Sequence, residues 1–591
     1  MKSKIQNKLY LVILGFLLQN SAIAQMYVGP NTSVYVKDQV VFVKQNLELK
    51  EATSNFYLRK ESQLVQGTPD PGANSGLGNL SVFQEGSVNN FSYNYWCSPV
   101  GNVGGISTSV NNPFGITQLG IPTSSTLTTA TQIAPGFDGL ASPSFSISTR
   151  WIYKFPANTT YSGWVSVGSA SNINAGEGFT MKGSSGTDLT SVDDVQNNLD
   201  GFHQRYDFRG KPNDGTIDIP VLVDKLTLTG NPYPSAIDLK LFLEEEKNCT
   251  GTAYFWEQDK TVKSHYVADY KGGYGTYSPI GVPDGTYVPA IYYSYDGAGK
   301  QILTSSTPGK NFERHYSPIG QGFMIRGLVA GNVQMKNSYR VYKKEGALNN
   351  SQFEKRANYK TSSAEIKTPQ IRFNTVLDNG PISQMLLMFD PSSTDGFDRA
   401  KDARSPNNGP ANTYFSFDNK EYLINVIPFE MDKKIAIGFR NKIQANYKIT
   451  VNEMVNLDEI ENVYIHDKIA DTYHDVKNSF YDLTLPAGSN NNQYEITFKN
   501  TTLGVKDREN TSFIVNQDNA KKSLIINNPL FKDLVLCNLY DIAGKLIFSK
   551  KQLGSNSSYS FPTSSLGDGI YIVKLESSDK IEMATKIIVK N

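Results

Sequence analysis

The chain has 591 residues and a formal charge of +1, from 57 Lys and Arg against 56 Asp and Glu. This balance excludes the dense basic surface that binding to nucleic acid or an anionic membrane would require. Three cysteines are too few and odd in number for a disulfide framework, and the length predicts about three or four domains.

Lys2, Lys4 and Lys8 precede an apolar run, Leu9 to Leu18, broken only by Gly15. Ala22-Ile23-Ala24 then offers a small-x-small cleavage site before Gln25. This is the layout of a secretory signal peptide over residues 1–24, cut between Ala24 and Gln25. The run is shorter than the roughly 20 residues that a membrane span needs, so no anchor is expected in the mature chain. Cleavage removes three lysines and no acids, leaving the mature chain near −2.

Residues 25–90 carry short alternating strands: Ser33–Lys37, Val40–Lys44, Asn46–Lys50, Phe56–Lys60 and Leu80–Gln84. Their regular spacing fits the stacked rungs of a small β-solenoid, with a simple meander as the alternative.

Residues 91–348 read as a diverged duplication, with copies at about 91–210 and 228–346. Gly176-Glu177-Gly178-Phe179 in the first matches Gly320-Gln321-Gly322-Phe323 in the second. Trp96-Cys97-Ser98-Pro99 and Gly230-Asn231-Pro232-Tyr233 precede them in the same order. Neither glycine element is a phosphate loop, because the Lys-Ser/Thr is missing and a strand follows. One helix is expected from Ser235, with Asp238 closing a capping box. The triplet Glu244-Glu245-Glu246 near its end opposes the macrodipole and reads as a solvated face.

A polar linker at 349–367 leads to a dense all-β stretch, 368–500, for which a two-sheet sandwich is the economical solution. Asp395, Asp398 and Asp402 there are candidate calcium ligands. A turn in which the aspartates cap free N–H groups competes with that reading. His466 and His474 lie eight apart, on two neighbouring strands, without a ligand spacing that argues for zinc. A Cys97–Cys249 bridge is one expectation, while Cys537, inside an apolar strand, reads as a small core residue. No catalytic motif is present: there is no Gly-x-Ser-x-Gly and no His-Glu-x-x-His. No catalytic residue, metal or cofactor is therefore assigned.

A short linker, 501–511, precedes a final domain, 512–591, with seven alternating strand-like runs separated by Asn-Pro, Ala-Gly and Gly-Asp-Gly turns. Three pieces of it carry a resemblance. They are Leu539-Tyr540-Asp541-Ile542-Ala543-Gly544-Lys545-Leu546-Ile547, then Leu566-Gly567-Asp568-Gly569-Ile570-Tyr571-Ile572-Val573-Lys574-Leu575, then Lys586-Ile587-Ile588-Val589. Together they resemble the C-terminal sorting domain of type IX secretion cargo in Gram-negative bacteria. Asn528-Pro529 follows a strand instead of opening one, which departs from the common pattern and leaves the subclass open. The segment from Phe389 through Asp395-Gly396-Phe397-Asp398 to Gly438-Phe439 is similar to a β-sandwich found before such tails. The resemblance implies an immunoglobulin-like terminal sandwich, with Asp541, Gly544, Gly569, Tyr571 and Lys586 as motif residues and the outer-membrane secretion machinery as partner. Alternation places Leu539, Ile572 and Leu575 in its core, and Gly544 and Gly569 are expected at turns where a Cβ would strain the backbone.

The expected architecture is thus mainly β, with sandwich- and solenoid-like modules in series and very few helices. The expected role is a secreted or surface-attached binding or adhesion protein that engages glycan or another surface protein. The alternatives are a polysaccharide hydrolase with a carboxylate pair in the duplicated region, or a structural surface-layer component.

Overall fold

In the computed structural model, described residues are 25–67, 74–104, 111–170, 172–296, 301–302, 309–346, 351–353, 368–378, 380, 382–406, 409–500 and 513–590. The expected signal peptide with Ala24, most of the first linker and the whole of the second lie outside them.

The chain begins as a stack of parallel rungs. Met26–Val28 lies on Leu47–Leu49, Ser33–Lys37 on Asn55–Arg59, and Val40–Val43 on Gln63–Gln66. Ser75–Gly76 and Asn79–Glu85 extend two of these ladders. Alternation turns Val28, Val36, Val43, Leu49, Phe56, Leu58 and Leu64 inward, where all are buried. Inside, Gln66 and Asn74 exchange side-chain hydrogen bonds at 2.8 and 3.0 Å, and Asn74 Oδ1 accepts the Leu47 N–H at 2.7 Å. These bonds satisfy polar atoms that burial would otherwise penalise.

Asn79–Glu85 also pairs antiparallel with Arg205–Pro212, so the solenoid and the first half of the following region share one sheet. Arg59 is fully buried at this junction. Its guanidinium donates to Leu58 O, Ser81 O, Ser81 Oγ and Ser125 O and lies 3.7 Å from the Phe83 ring.

Between residues 93 and 341 a two-stranded sheet and a seven-stranded sheet meet at a common seam. Tyr93–Cys97 pairs with Gly178–Lys182, and Leu226–Gly230 pairs with Gly322–Gly327. Gly176 and Gly320 have φ of +82° and +77°, the left-handed region that glycine enters without cost. The two glycine loops are exchanged across the seam. Cys97 N–H donates to Gly320 O at 2.9 Å, and Thr229 Oγ1 donates to Gly176 O at 2.7 Å. Phe179 and Phe323, which follow the loops, are both fully buried.

The helix differs from expectation. Ala236–Asp238 is a strand held between Tyr316–Ser317 and Arg340–Val341, so Ser235 cannot open a helix. The helix is Leu239–Glu245, capped by Asp238, which accepts the Leu241 N–H at 2.8 Å. Of the acidic triplet, Glu244 and Glu245 are exposed as expected, but Glu246 is not. Glu246 is buried and accepts from Lys336 Nζ, Tyr339 OH and Gln334 N at 2.6, 2.9 and 2.8 Å. Arg399, from the next domain, donates to the carbonyls of Leu243, Glu244 and Glu246 and so neutralises the helix end.

From Gln370 to Thr497 the layers of the sandwich are joined into one eleven-stranded sheet that curls around a single core. Irregular registers between Arg372 and Phe373 and between Ile437 and Phe439 mark where its long strands bend.

The last domain has seven strands in two sheets. Ile514–Asp518, Ser523–Asn527 and Ser558–Pro562 form one sheet. Leu546–Gly554, Leu534–Asp541, Gly569–Ser577 and Glu582–Val589 form the other. Leu524, Ile526, Cys537, Leu539, Val573 and Leu575 fill the space between them.

All three cysteines are free and buried. The considered Cys97–Cys249 bridge does not form, because Cys97 packs at the seam beside Gly230 and Cys249 lies in a separate core with Phe255 and Phe323.

Candidate functional site

The seam carries an aromatic face, and strand alternation explains it. On Tyr93–Cys97, Trp96 points into the solenoid-side core while Tyr93 and Tyr95 point the other way. On Cys249–Gln258, Phe255 faces the second core while Tyr254 and Trp256 face the seam. Tyr274 on Lys271–Ser278 joins them. The rings run in contact: Tyr95–Trp164 at 5.8 Å, Tyr95–Trp256 at 6.4 Å, Trp256–Tyr274 at 5.2 Å and Trp256–Tyr295 at 6.1 Å between centroids. Tyr93, Trp164, Tyr274 and Tyr295 are only partly buried, while Tyr95, Tyr254 and Trp256 between them are buried.

A charged group closes one end of the face. Lys182 follows Thr180 on the outward side of its strand, opposite Phe179 and Met181. Its ammonium lies 3.8 Å from the Trp151 ring centroid and 4.9 Å from those of Tyr93 and Tyr270, and is hydrogen-bonded to Tyr270 OH. Lys182 Nζ also lies 3.1 Å from His265 Nδ1, and His265 Nε2 lies 2.9 Å from Asp138 Oδ1. Burial lowers Lys182 to about 7, partly offset by Asp138. Burial and the neighbouring ammonium lower His265 as well. In its neutral form His265 accepts from Lys182 at Nδ1 and donates from Nε2 to Asp138. The imidazole stacks on Trp151 with centroids 5.3 Å apart and planes 10° apart.

Sequence reasoning passed over this cluster. His265 is one of five scattered histidines, and Lys182 ends the Gly-Glu-Gly-Phe-Thr-Met-Lys element, where the second copy has Arg326. The available signal was alternation: Phe179 and Met181 as core residues oblige Lys182 to face the other side.

The expected site residues fall elsewhere. Asp395 pairs with Lys433 at 2.7 Å, Asp398 accepts the Thr394 N–H at 2.6 Å, and Asp402 accepts the N–H groups of Asp398 and Val426 at 2.6 and 2.8 Å. These carboxylates serve a turn and diverge from one another. Burial pushes the Asp402 carboxyl up to about 7 against those two donors. His474 is paired opposite Ile465, so it faces away from His466. His466 is held by Glu495 and Asp471, at 2.9 and 3.1 Å.

In the last domain Asp541 Oδ1 accepts the N–H groups of Ala543 and Lys545, both at 2.9 Å, and Gly544 has φ +76° in that turn. Gly569 differs from expectation. It opens a strand opposite Val589, and an added Cβ would meet only Tyr571, at 3.9 Å. Tyr571 OH donates to Gly567 O at 3.0 Å. Lys586 Nζ donates to Val451 O of the preceding domain at 2.7 Å.

One cavity, of about 280 Å³, lies where the solenoid, the hairpin around Asp193-Asp194 and the second half of the seam region meet. Asp38, Glu61, Glu85, Asp193, Asp194 and Glu345 line it.

Comparison with known proteins accounts for most of the chain. Residues 137–498 match the family described as a domain of unknown function, DUF8693, and the chain belongs to that family. Residues 520–590 match the secretion system C-terminal sorting domain. The protein is therefore type IX secretion cargo with a C-terminal sorting domain.

No curated protein matches. A DUF3244 family protein from Bacteroides vulgatus ATCC 8482, with an immunoglobulin-like β-sandwich fold, is 11% identical over 15% of this chain and 93% of its own, with a TM-score of 0.13. A BSP domain of a biofilm-associated protein is 8% identical over 74% of this chain and 87% of its own, with a TM-score of 0.11. Among the described residues no helix is long and apolar enough to cross a membrane.

Proposed function

We propose that this cargo is a non-catalytic binding or adhesion protein that holds glycan on the aromatic face of the seam. The observation that carries the reading is the group of partly exposed rings, Tyr93, Tyr274 and Tyr295 on strands and Trp164 on the turn beside them, packed into one cluster. Aromatic faces of this kind stack on the apolar faces of sugar rings, at little entropic cost because the rings are already held. In this reading a signal peptide cut at Ala24 delivers the chain to the periplasm, and the sorting domain then carries it to the cell surface or beyond. The two halves of residues 91–346 are copies of one unit, a view supported by the exchanged loops at Gly176 and Gly320.

A glycan-binding screen on mature chain 25–591 tests the reading. Binding should be lost in Trp164→Ala and Tyr274→Ala. Binding that stays at the wild-type level in both variants, or that is absent from the wild type across acidic and neutral glycans, would overturn it.

A second reading, polysaccharide hydrolysis, is favoured by the carboxylate-lined cavity. It requires release of reducing ends that stops in Glu85→Gln or Asp194→Asn.

A further inference from the structure

The strand Gly569–Ser577 buries residues on both of its faces. Tyr571, Val573 and Leu575 pack into the sorting domain's own core. Ile572 and Lys574, one residue out of phase, face away from that core. An outer face of a terminal domain should meet water, yet Ile572 is 0% exposed. Its neighbours across the sheet are Tyr540 and Lys586.

The cover is the preceding β-domain. The Tyr540 ring meets Phe480 edge-on at 5.3 Å, and the Lys574 ammonium lies 3.9 Å from the Phe480 centroid. Lys586 Nζ donates to Val451 O at 2.7 Å, and Lys448 Nζ donates to Gly544 O at 3.3 Å. The expectation that Ile572 belongs to the terminal core is thereby corrected: it belongs to an interface.

We infer that the sorting domain is latched to the preceding β-domain through the row Tyr540, Ile572 and Lys586, and that this latch opens before the export machinery reads the Asp541–Gly544 turn or Lys586. The inference rests on the sorting assignment and adds a gate to it. The two domains share no sheet, so no ladder of backbone bonds has to break. Among the described residues the contacts between them include one ring pair, one ammonium over a ring, one buried isoleucine and two lysines that donate to carbonyls. Each is modest, and burial lowers the Lys586 ammonium to about 8, which marks a cost of keeping it there.

The geometry supplies a test. A Cβ on Gly544 would stand 3.8 Å from the Lys448 Cβ, the spacing of a disulfide. Lys448→Cys with Gly544→Cys in chain 25–591, treated with glutathione disulfide, should lose two thiols to one intramolecular bond and release two molecules of glutathione. In cells the linked chain should remain inside the outer membrane until it is reduced. Failure to link, or export of the linked chain at the wild-type rate, would overturn the latch. Reduction of the linked chain reads the sorting step separately, because export must then resume.

Gly544→Cys strains a left-handed turn, so a second measurement leaves that turn untouched. Phe480→Ala, in the other domain, should raise the acetylation rate of Lys586 several-fold by mass spectrometry. An unchanged rate would equally overturn the proposal.

Discussion

Lys182 holds its ammonium 3.8 Å from the centre of the Trp151 ring, and it reaches the Asp138 carboxylate only through His265. Burial drives its pKa down to about 7, against about 10.4 in an unfolded chain. Between these values the unfolded chain binds more protons than the folded one, so stability rises with pH across that window. Lys182→Met removes the titration and keeps the packing. The stability of the wild type relative to this variant should grow by roughly 2–4 kcal/mol from pH 7 to pH 10. Denaturant midpoints at four pH values would check this, and a difference that stays flat would contradict it.

Gly230 is a packing residue. A Cβ there would lie 2.3 Å from Gln321 O and 2.6 Å from the Cys97 Cβ, both fixed by the seam. Gly230→Ala should cost about 1–3 kcal/mol by overpacking. Gly567→Ala, where nothing lies within 4 Å, should stay within about 0.5 kcal/mol of the wild type. Thermal unfolding of both variants separates a crowded glycine from a merely permissive one.

Asp402 holds its loop by two backbone donors. Asp402→Ala leaves the N–H groups of Asp398 and Val426 without their acceptor, at a cost of about 1–3 kcal/mol each. The same loop carries Arg399 to the helix end, so the variant should also free the contact between the two domains. Faster limited proteolysis around Arg399 is the expected readout.

Deleting 512–591 removes the sorting domain and should leave a folded protein in the periplasm. Cell fractionation of full-length and truncated chains checks this. Equal amounts of both outside the outer membrane would remove the sorting role.

Much of the architecture is legible in the sequence because it rests on period-two alternation and on turn chemistry. All seven strands of the terminal domain can be read from such runs as Leu534–Asp541 and Gly569–Ser577. What is not legible depends on partners distant along the chain. Ser235 and Asp238 form a sound local helix start, but pairing of Ile237 with Ser317 and Arg340 takes the first turn into a sheet. Glu246 reads as solvated because Lys336 and Tyr339 lie about ninety residues away. Ile572 reads as core because alternation shows which residues share a face, and not which face another domain covers. The Lys182 cluster draws on Asp138, Trp151, Lys182 and His265, and no local spacing joins them.

The three buried thiols carry a consequence for timing. Cys97, Cys249 and Cys537 occupy separate places, and burial raises all three thiols, Cys249 to about 11 and Cys537 to about 12. A thiol held protonated is a poor partner for exchange. Disulfide formation and reshuffling take seconds to hours, and this chain has no such step in its path. The folded chain thus holds three free, buried thiols and depends on no oxidant to close a bond among them.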